Sequence, residues 1–195
     1  MNRKFAFLVT VVVFSLAARI TEARQGFSIG LGPIGNIFLV DTIPVLDPGI
    51  GGHMFFQYRF HEQVAFQTSF LMTTQDGDED PNSAGKNDTG ILFLGMPVMD
   101  IKFYLLQGEP RFDPYLGTGL GIYWLTEGRF QANNTGGVGL GTQIDVGFDY
   151  YLTEIISFGF EGVFRSVALI TDLGTPSASG AEFPYSLTGN VAFHF

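Results

Sequence analysis

The chain has 195 residues, 26 of them Gly and 21 Phe, no Cys, and a formal net charge of −9 at pH 7. The acidic balance argues against nucleic acid as a partner, and the missing Cys excludes a disulfide framework. Only 15% of residues are charged while Gly and aromatics abound, a composition that points to an all-β barrel or sandwich.

Residues 1–23 read as an export signal. Asn2-Arg3-Lys4 is a short positive region, Phe5 to Ala18 is apolar apart from Thr10 and Ser15, and Thr21-Glu22-Ala23 offers small residues to a peptidase. The apolar run is too short to cross a bilayer as a helix. Cleavage is expected after Ala23, with Ala17 and Ala18 as alternatives, and no Cys follows to open a lipoprotein route. Residues 24–195 form the expected single barrel domain. They hold 7 basic and 18 acidic residues, because the signal takes three basic and one acidic with it. No later stretch is long and apolar enough for a transmembrane helix, so a place in a membrane requires a closed barrel.

Period-two alternation then predicts eight strands. The first starts near Gly26, with Phe27, Ile29 and Leu31 on one face, and a Pro-rich loop (Pro33, Pro44, Pro48) follows. The second, His53 to Phe60, sets Met54, Phe56, Tyr58 and Phe60 against His53, Gln57 and Arg59. After a turn at His61-Glu62, the third sets Val64, Phe66, Phe70 and Met72 against Gln67, Ser69 and Thr73. A long polar loop spans 75–88. The fourth, about Thr89 to Leu105, alternates in its lower half, with Met99, Ile101, Phe103 and Leu105 against Asp100, Lys102 and Tyr104. Its upper half is apolar on both faces and carries Pro97. A short turn over 107–110 leads to the fifth strand, Asp113 to Trp124, and a polar loop over 126–137 to the sixth. There Val138, Leu140, Ile144, Val146, Phe148 and Tyr150 oppose Gln143, Asp145 and Asp149. After a turn at 152–154, the seventh sets Ile156, Phe158, Phe160 and Phe164 against Ser157, Glu161 and Arg165. A last loop spans 171–182. The eighth strand sets Tyr185, Leu187, Val191, Phe193 and Phe195 against Ser186, Thr188, Asn190, Ala192 and His194.

Long loops alternating with short turns are the membrane-barrel arrangement, long loops outside the cell and short turns in the periplasm. The apolar parity holds too many large aromatics for the interior of a small barrel, which side chains just fill. Those aromatics are therefore expected to face lipid and the polar parity the lumen. Phe60, Trp124, Tyr150, Phe193 and Phe195, near strand ends, are expected to form interface girdles.

Asp113-Pro114-Tyr115-Leu116-Gly117-Thr118-Gly119-Leu120-Gly121 resembles the Pro-Tyr-x-Gly-x-Gly-x-Gly strand of small bacterial outer-membrane β-barrel proteins. Val146-Gly147-Phe148-Asp149-Tyr150-Tyr151-Leu152-Thr153 resembles the next strand and turn of that superfamily. Phe193-His194-Phe195 is similar to the signal read by the barrel assembly machinery, although Asn190 stands where that signal often has Gly. The resemblance implies an eight-stranded barrel related to the outer membrane protein A transmembrane domain and the outer membrane protein W group. It assigns no function.

Three constellations are candidates for function. The inward charges Arg59, Asp100, Lys102, Asp145, Asp149, Glu161 and Arg165 form either a plug of paired charges or a gate in a narrow water path. Arg165 is expected to find Asp145 or Asp149 on the neighbouring strand. Leu92, Leu94, Met96, Pro97 and Val98 form either a bulge with a short apolar core or an apolar pocket facing the lumen and opening sideways to lipid. The second alternative is implied by the outer membrane protein W group. Asp76, Asp78 and Asp80 alternate as calcium ligands do, but Pro81 and Asn87 stand where a calcium loop has Gly and Glu, so the reading is a solvated acidic loop. They are a weak candidate for a divalent site shared with lipopolysaccharide phosphates.

An enzyme is not expected: His61 sits in a periplasmic turn, His194 lies next to the terminus, His53 lies near the outer rim with no Ser beside it, and no deacylase-like His-x-Ser pair stands near the C-terminus. A lipocalin-like secreted barrel lacks its early Gly-x-Trp, since the only Trp is Trp124. The sequence therefore predicts a Gram-negative outer-membrane barrel, without a cofactor, with a structural or surface-exposed role and a narrow or plugged lumen. The alternative is a porin-like or outer membrane protein W-like channel for small hydrophobic molecules. Its expected partners are outer-membrane lipid, lipopolysaccharide and, during biogenesis, the assembly machinery.

Overall fold

A computed structural model describes residues 25–39, 48–75, 91–108, 110–127, 136–172 and 181–195. The export signal, Asp76, Asp78 and Asp80 lie outside the described residues. The alternating segments form β1 (Gly26–Phe38), β2 (Gly49–His61), β3 (Val64–Gln75), β4 (Ile91–Tyr104), β5 (Phe112–Glu127), β6 (Gly136–Tyr151), β7 (Ile156–Asp172), β8 (Ala181–Glu182) and β9 (Pro184–His194). The described residues contain no helix.

From β1 to β7 each strand pairs antiparallel with the next, and β9 pairs with both β7 and β1. The sheet is thereby closed and has no free edge. The two residues of β8 pair with β7 in the register that β9 continues (Val167↔Glu182, then Phe164↔Tyr185), so β8 and β9 make one broken stave and the barrel has eight. A path of paired residues once around the wall leaves β1 at Asn36, passes Ser186, Val163, Asp145, Gly117, Lys102, Ala65 and Arg59, and returns to β1 at Gly26, ten positions along. That stagger tilts the strands and fixes which side chains meet across the lumen.

The two faces separate by charge. Every Asp, Glu, Lys and Arg whose side chain is described within a strand is buried, while the opposite parity is an apolar band on all eight staves. On β2, Phe56 is 49% exposed and Arg59 is 2% exposed. An apolar band of that extent is untenable in water but is what lipid requires. Phe60, Tyr150, Phe193 and Phe195 lie outward at the end that carries the short turns, where a girdle belongs.

Two segments differ from the sequence reading. β1 runs through Pro33 to Phe38 instead of ending before a Pro-rich loop. It keeps its pairing to β2 there (Pro33↔Gly52), while its pairing to β9 skips Gly32 and Pro33. Proline has no N–H to give, and the interruption falls on that one side of the strand. β4 contains a bulge: Ser69↔Val98 and Leu71↔Gly95 leave Phe70 alone opposite Met96 and Pro97, and on the other side Ile122 faces the same two residues. One extra residue reverses the parity of everything beyond it.

Candidate functional site

The lumen is the site, and it is layered. At the short-turn end, Arg59 Nη1 donates to Asp113 Oδ2 at 2.9 Å and to Tyr151 Oη at 3.3 Å. Its Nη2 donates to the Glu62 carbonyl, which ties the β2–β3 turn to the same group. The guanidinium lies 3.7 Å from the centroid of the Tyr104 ring, a stacked cation–π contact. Tyr104 in turn donates to Asp149 Oδ2 at 2.9 Å and accepts from Gln57 Nε2 at 3.1 Å.

At mid-barrel, Lys102 Nζ crosses the lumen from β4 to Glu161 Oε2 on β7, at 2.5 Å, and reaches the Tyr115 hydroxyl at 3.0 Å. Tyr115 itself donates to the same Glu161 oxygen at 2.6 Å. Gln143 is the next node. Its amide nitrogen donates to Asp100 Oδ1, and its carbonyl accepts from Arg165 Nε and from the Tyr123 hydroxyl, both at 3.0 Å. From Arg165 the chain of bonds continues through Ser186 to Asn36 on β1, 2.6 Å at each step.

Toward the long-loop end the polar network gives way to packed hydrocarbon. Ile34, Leu71, Ile91, Phe93, Val98, Tyr123, Leu125 and Val167 form one buried cluster, with Phe93 stacked on Tyr123 at 5.5 Å between centroids. The lumen thus holds a polar network below and a hydrocarbon layer above, and beside that layer Asn36, Thr73, Gln75 and Glu182 are buried as well, Gln75 Nε2 donating to the Asn36 carbonyl at 3.3 Å.

All seven charges singled out from sequence are buried in this lumen. Their partners differ from the sequence reading in one case. Arg165 stands opposite Gln143 in the β6–β7 register, while Asp145 is opposite Val163 and Asp149 opposite Gly159. Its bonds therefore go to neutral Gln143 and Ser186 rather than to either aspartate. The apolar pocket requires a larger correction. Met96 is outward, Leu92 and Leu94 are half-buried on the outer face, Pro97 is exposed, and only Val98 points into the lumen. The inward parity of Asp100 and Lys102 does not extend above Pro97, because the bulge reverses it and brings Ile91 and Phe93 inside.

Several lumen residues escaped the sequence reading. The sequence places Gln143 on the inward parity but not as a node of the network, and Asp113 sits on the polar parity of β5, where alternation alone is enough to find it. Cross-lumen bonds such as Arg59–Asp113 depend on the stagger, which no local pattern encodes. The Gly-x-Gly pattern of β5 does have a local reason. A Cβ on Gly117 would lie 2.0 Å from Asp145 Oδ2, and one on Gly119 would lie 1.9 Å from Asp100 Oδ1. These two glycines make room in the wall for two carboxylates. His194, set aside in the sequence for its place next to the terminus, meets Ser157 across strands, with Nε2 2.8 Å from Oγ.

A closed barrel with a lipid-facing apolar band and a polar lumen defines the class: a transmembrane β-barrel. The chain belongs to the outer membrane protein beta-barrel domain family, whose match runs over residues 5–194. That family resides in the outer membrane of Gram-negative bacteria. Solved structures of the same fold include neisserial surface protein A, at 13% identity and a TM-score of 0.63, over 88% of this chain and 98% of that one. Ail, the attachment invasion locus protein of Yersinia pestis, is similar at 12% identity and a TM-score of 0.57, over 88% and 99%. OprG from Pseudomonas aeruginosa is similar at 15% identity and a TM-score of 0.54, over 88% and 96%. No curated protein matches the sequence.

Proposed function

We propose that the protein is a closed outer-membrane barrel with a structural or surface-exposed role and a lumen that does not conduct. The observation that carries this is the continuous filling of the interior, from the Arg59–Asp113 pair at one end to the Phe93–Tyr123 stack near the other. Its partners in this reading are outer-membrane lipid and lipopolysaccharide, reached after signal cleavage and insertion by the assembly machinery. Catalysis is no part of it. The Ser157–His194 pair resembles a nucleophile and its base, but Ser157 is fully buried in the barrel interior, where no lipid or peptide substrate reaches it. Planar bilayers test the reading: the purified protein should give no conductance steps, and steady channel currents would overturn it.

A second reading, passage of small hydrophobic molecules, is favoured by one feature. An open groove of about 640 Å³ on the outer wall, lined by Pro33, Gly35, Ile50, Gly51, Leu187 and Gly189 among others, lies where the β1–β9 pairing is interrupted. It also touches Ile34, a member of the apolar lumen cluster. Faster uptake of an alkane by cells that express the protein would support this route.

A further inference from the structure

We propose that the lumen binds a monovalent inorganic cation between Asp100 and Asp145, against β5. The charge balance points to it. Apart from Glu182, which has a partner of its own, the described inward side chains include three cations, Arg59, Lys102 and Arg165, and five carboxylates, Asp100, Asp113, Asp145, Asp149 and Glu161. Arg59 is committed to Asp113 and Lys102 to Glu161, while Arg165 is held by neutral groups. Asp149 receives the Tyr104 hydroxyl.

Asp100 and Asp145 are left with oxygens that nothing satisfies. Both oxygens of Asp145 and Oδ2 of Asp100 lack a hydrogen-bond partner, although the residues are 1% and 2% exposed. An independent side chain adds to the excess of acceptors. Gln67, 1% exposed, stands opposite Asp100 in the β3–β4 register, and its Oε1 also has no partner. An unpaired charge in a dry interior is costly, and a hard cation is what oxygen ligands of this kind select.

The register sets the two carboxylates at neighbouring inward positions of one strand. Asp100 leans from β4 over Gly119 and Asp145 leans from β6 over Gly117, so they approach neighbouring inward positions of β5 from opposite sides. Lys102 lies opposite Gly117 but spends its ammonium on Glu161 and Tyr115. No group of three His, Cys, Asp or Glu among the described residues is placed to hold a metal ion. An all-oxygen set of two carboxylates and an amide lacks the nitrogen and sulfur donors zinc prefers and falls short of the roughly six to eight oxygens calcium takes, so it suits sodium or potassium completed by water. The proposal stands whether or not the lumen conducts.

The test uses the folded barrel in non-ionic detergent, with sodium, potassium or choline chloride at equal ionic strength. A site filled at a hundredfold excess over Kd should raise the melting midpoint by about 5–10 °C in sodium or potassium over choline. The difference should vanish in Asp100→Asn and in Asp145→Asn and persist in Asp149→Asn, whose site is occupied by Tyr104. Equal midpoints in sodium, potassium and choline for the unaltered protein, or an alkali effect that survives both substitutions at the site, would overturn the proposal. If the variants do not fold, sodium NMR on the unaltered protein decides. Line broadening relieved by excess potassium but not by choline supports the site, and an unbroadened line refutes it.

Discussion

Lys102→Met removes one ammonium from mid-lumen and keeps most of the stem that packs there. Lys102 and Glu161 are 4% and 5% exposed at the side chain and 2.5 Å apart, so the pair is desolvated on both sides. Removing one member of such a pair leaves the other charge buried, at a cost of about 3–5 kcal/mol. The Tyr115 hydroxyl still donates to Glu161, which favours the lower end of that range. For a chain of this length each kcal/mol shifts the midpoint by about 2–4 °C, so the variant should melt roughly 6–20 °C early. The assay is the temperature at which the folded band on an unheated gel converts to the unfolded one. Glu161→Gln alone should cost a similar amount. The double variant should cost less than the two added together, with a coupling on the order of 2–3 kcal/mol. If Lys102→Met melts within about 2 °C of the unaltered protein and the cycle shows no coupling, water screens these charges and the picture of a sealed lumen fails.

The glycines of the wall give a paired expectation. Gly119→Ala sets a methyl against Asp100 and the Met99 carbonyl and should cost about 1–3 kcal/mol, whereas Gly52→Ala enters open space and should stay within about 0.5 kcal/mol, both read from chemical unfolding. Deleting Phe195, which projects outward and whose N–H bonds the Phe27 carbonyl at 2.8 Å, should reduce the amount of folded, heat-modifiable protein in the outer membrane. An epitope placed within 76–88 should be labelled on intact cells and one within 107–110 should not, and the opposite pattern would invert the barrel.

Alternation made most of this fold legible. Strands such as β2 and β9 carry one polar and one apolar parity, and a polar residue cannot change face without meeting lipid. What escaped had physical causes of two kinds. At Pro33 the rule that proline ends a strand yielded to the pairing on its other side, which continues to β2. In the upper half of β4 both parities are apolar, so nothing in Ile91 to Gly95 tells inside from outside, and the extension of parity across Pro97 went to the wrong face. The members of the charge network were readable one by one. Their partnerships were not, because Lys102 meets Glu161 only through a ten-residue stagger accumulated over the whole wall.

The bulge at Met96-Pro97 also says where this barrel can change length. A single-residue insertion or deletion in the lower half of β4 would turn Asp100 and Lys102 toward hydrocarbon and would be lost at once. The same event above Pro97 exchanges Ile91 and Phe93 for Leu92 and Leu94, a trade of one aliphatic or aromatic surface for another. That stretch is the part of the wall in which a slipped reading frame of the pleat is nearly silent, and it leads into the chain over 76–90. Length variation among relatives, and designed changes to residues 76–90, should therefore collect there, absorbed by the strand before they reach the charged interior.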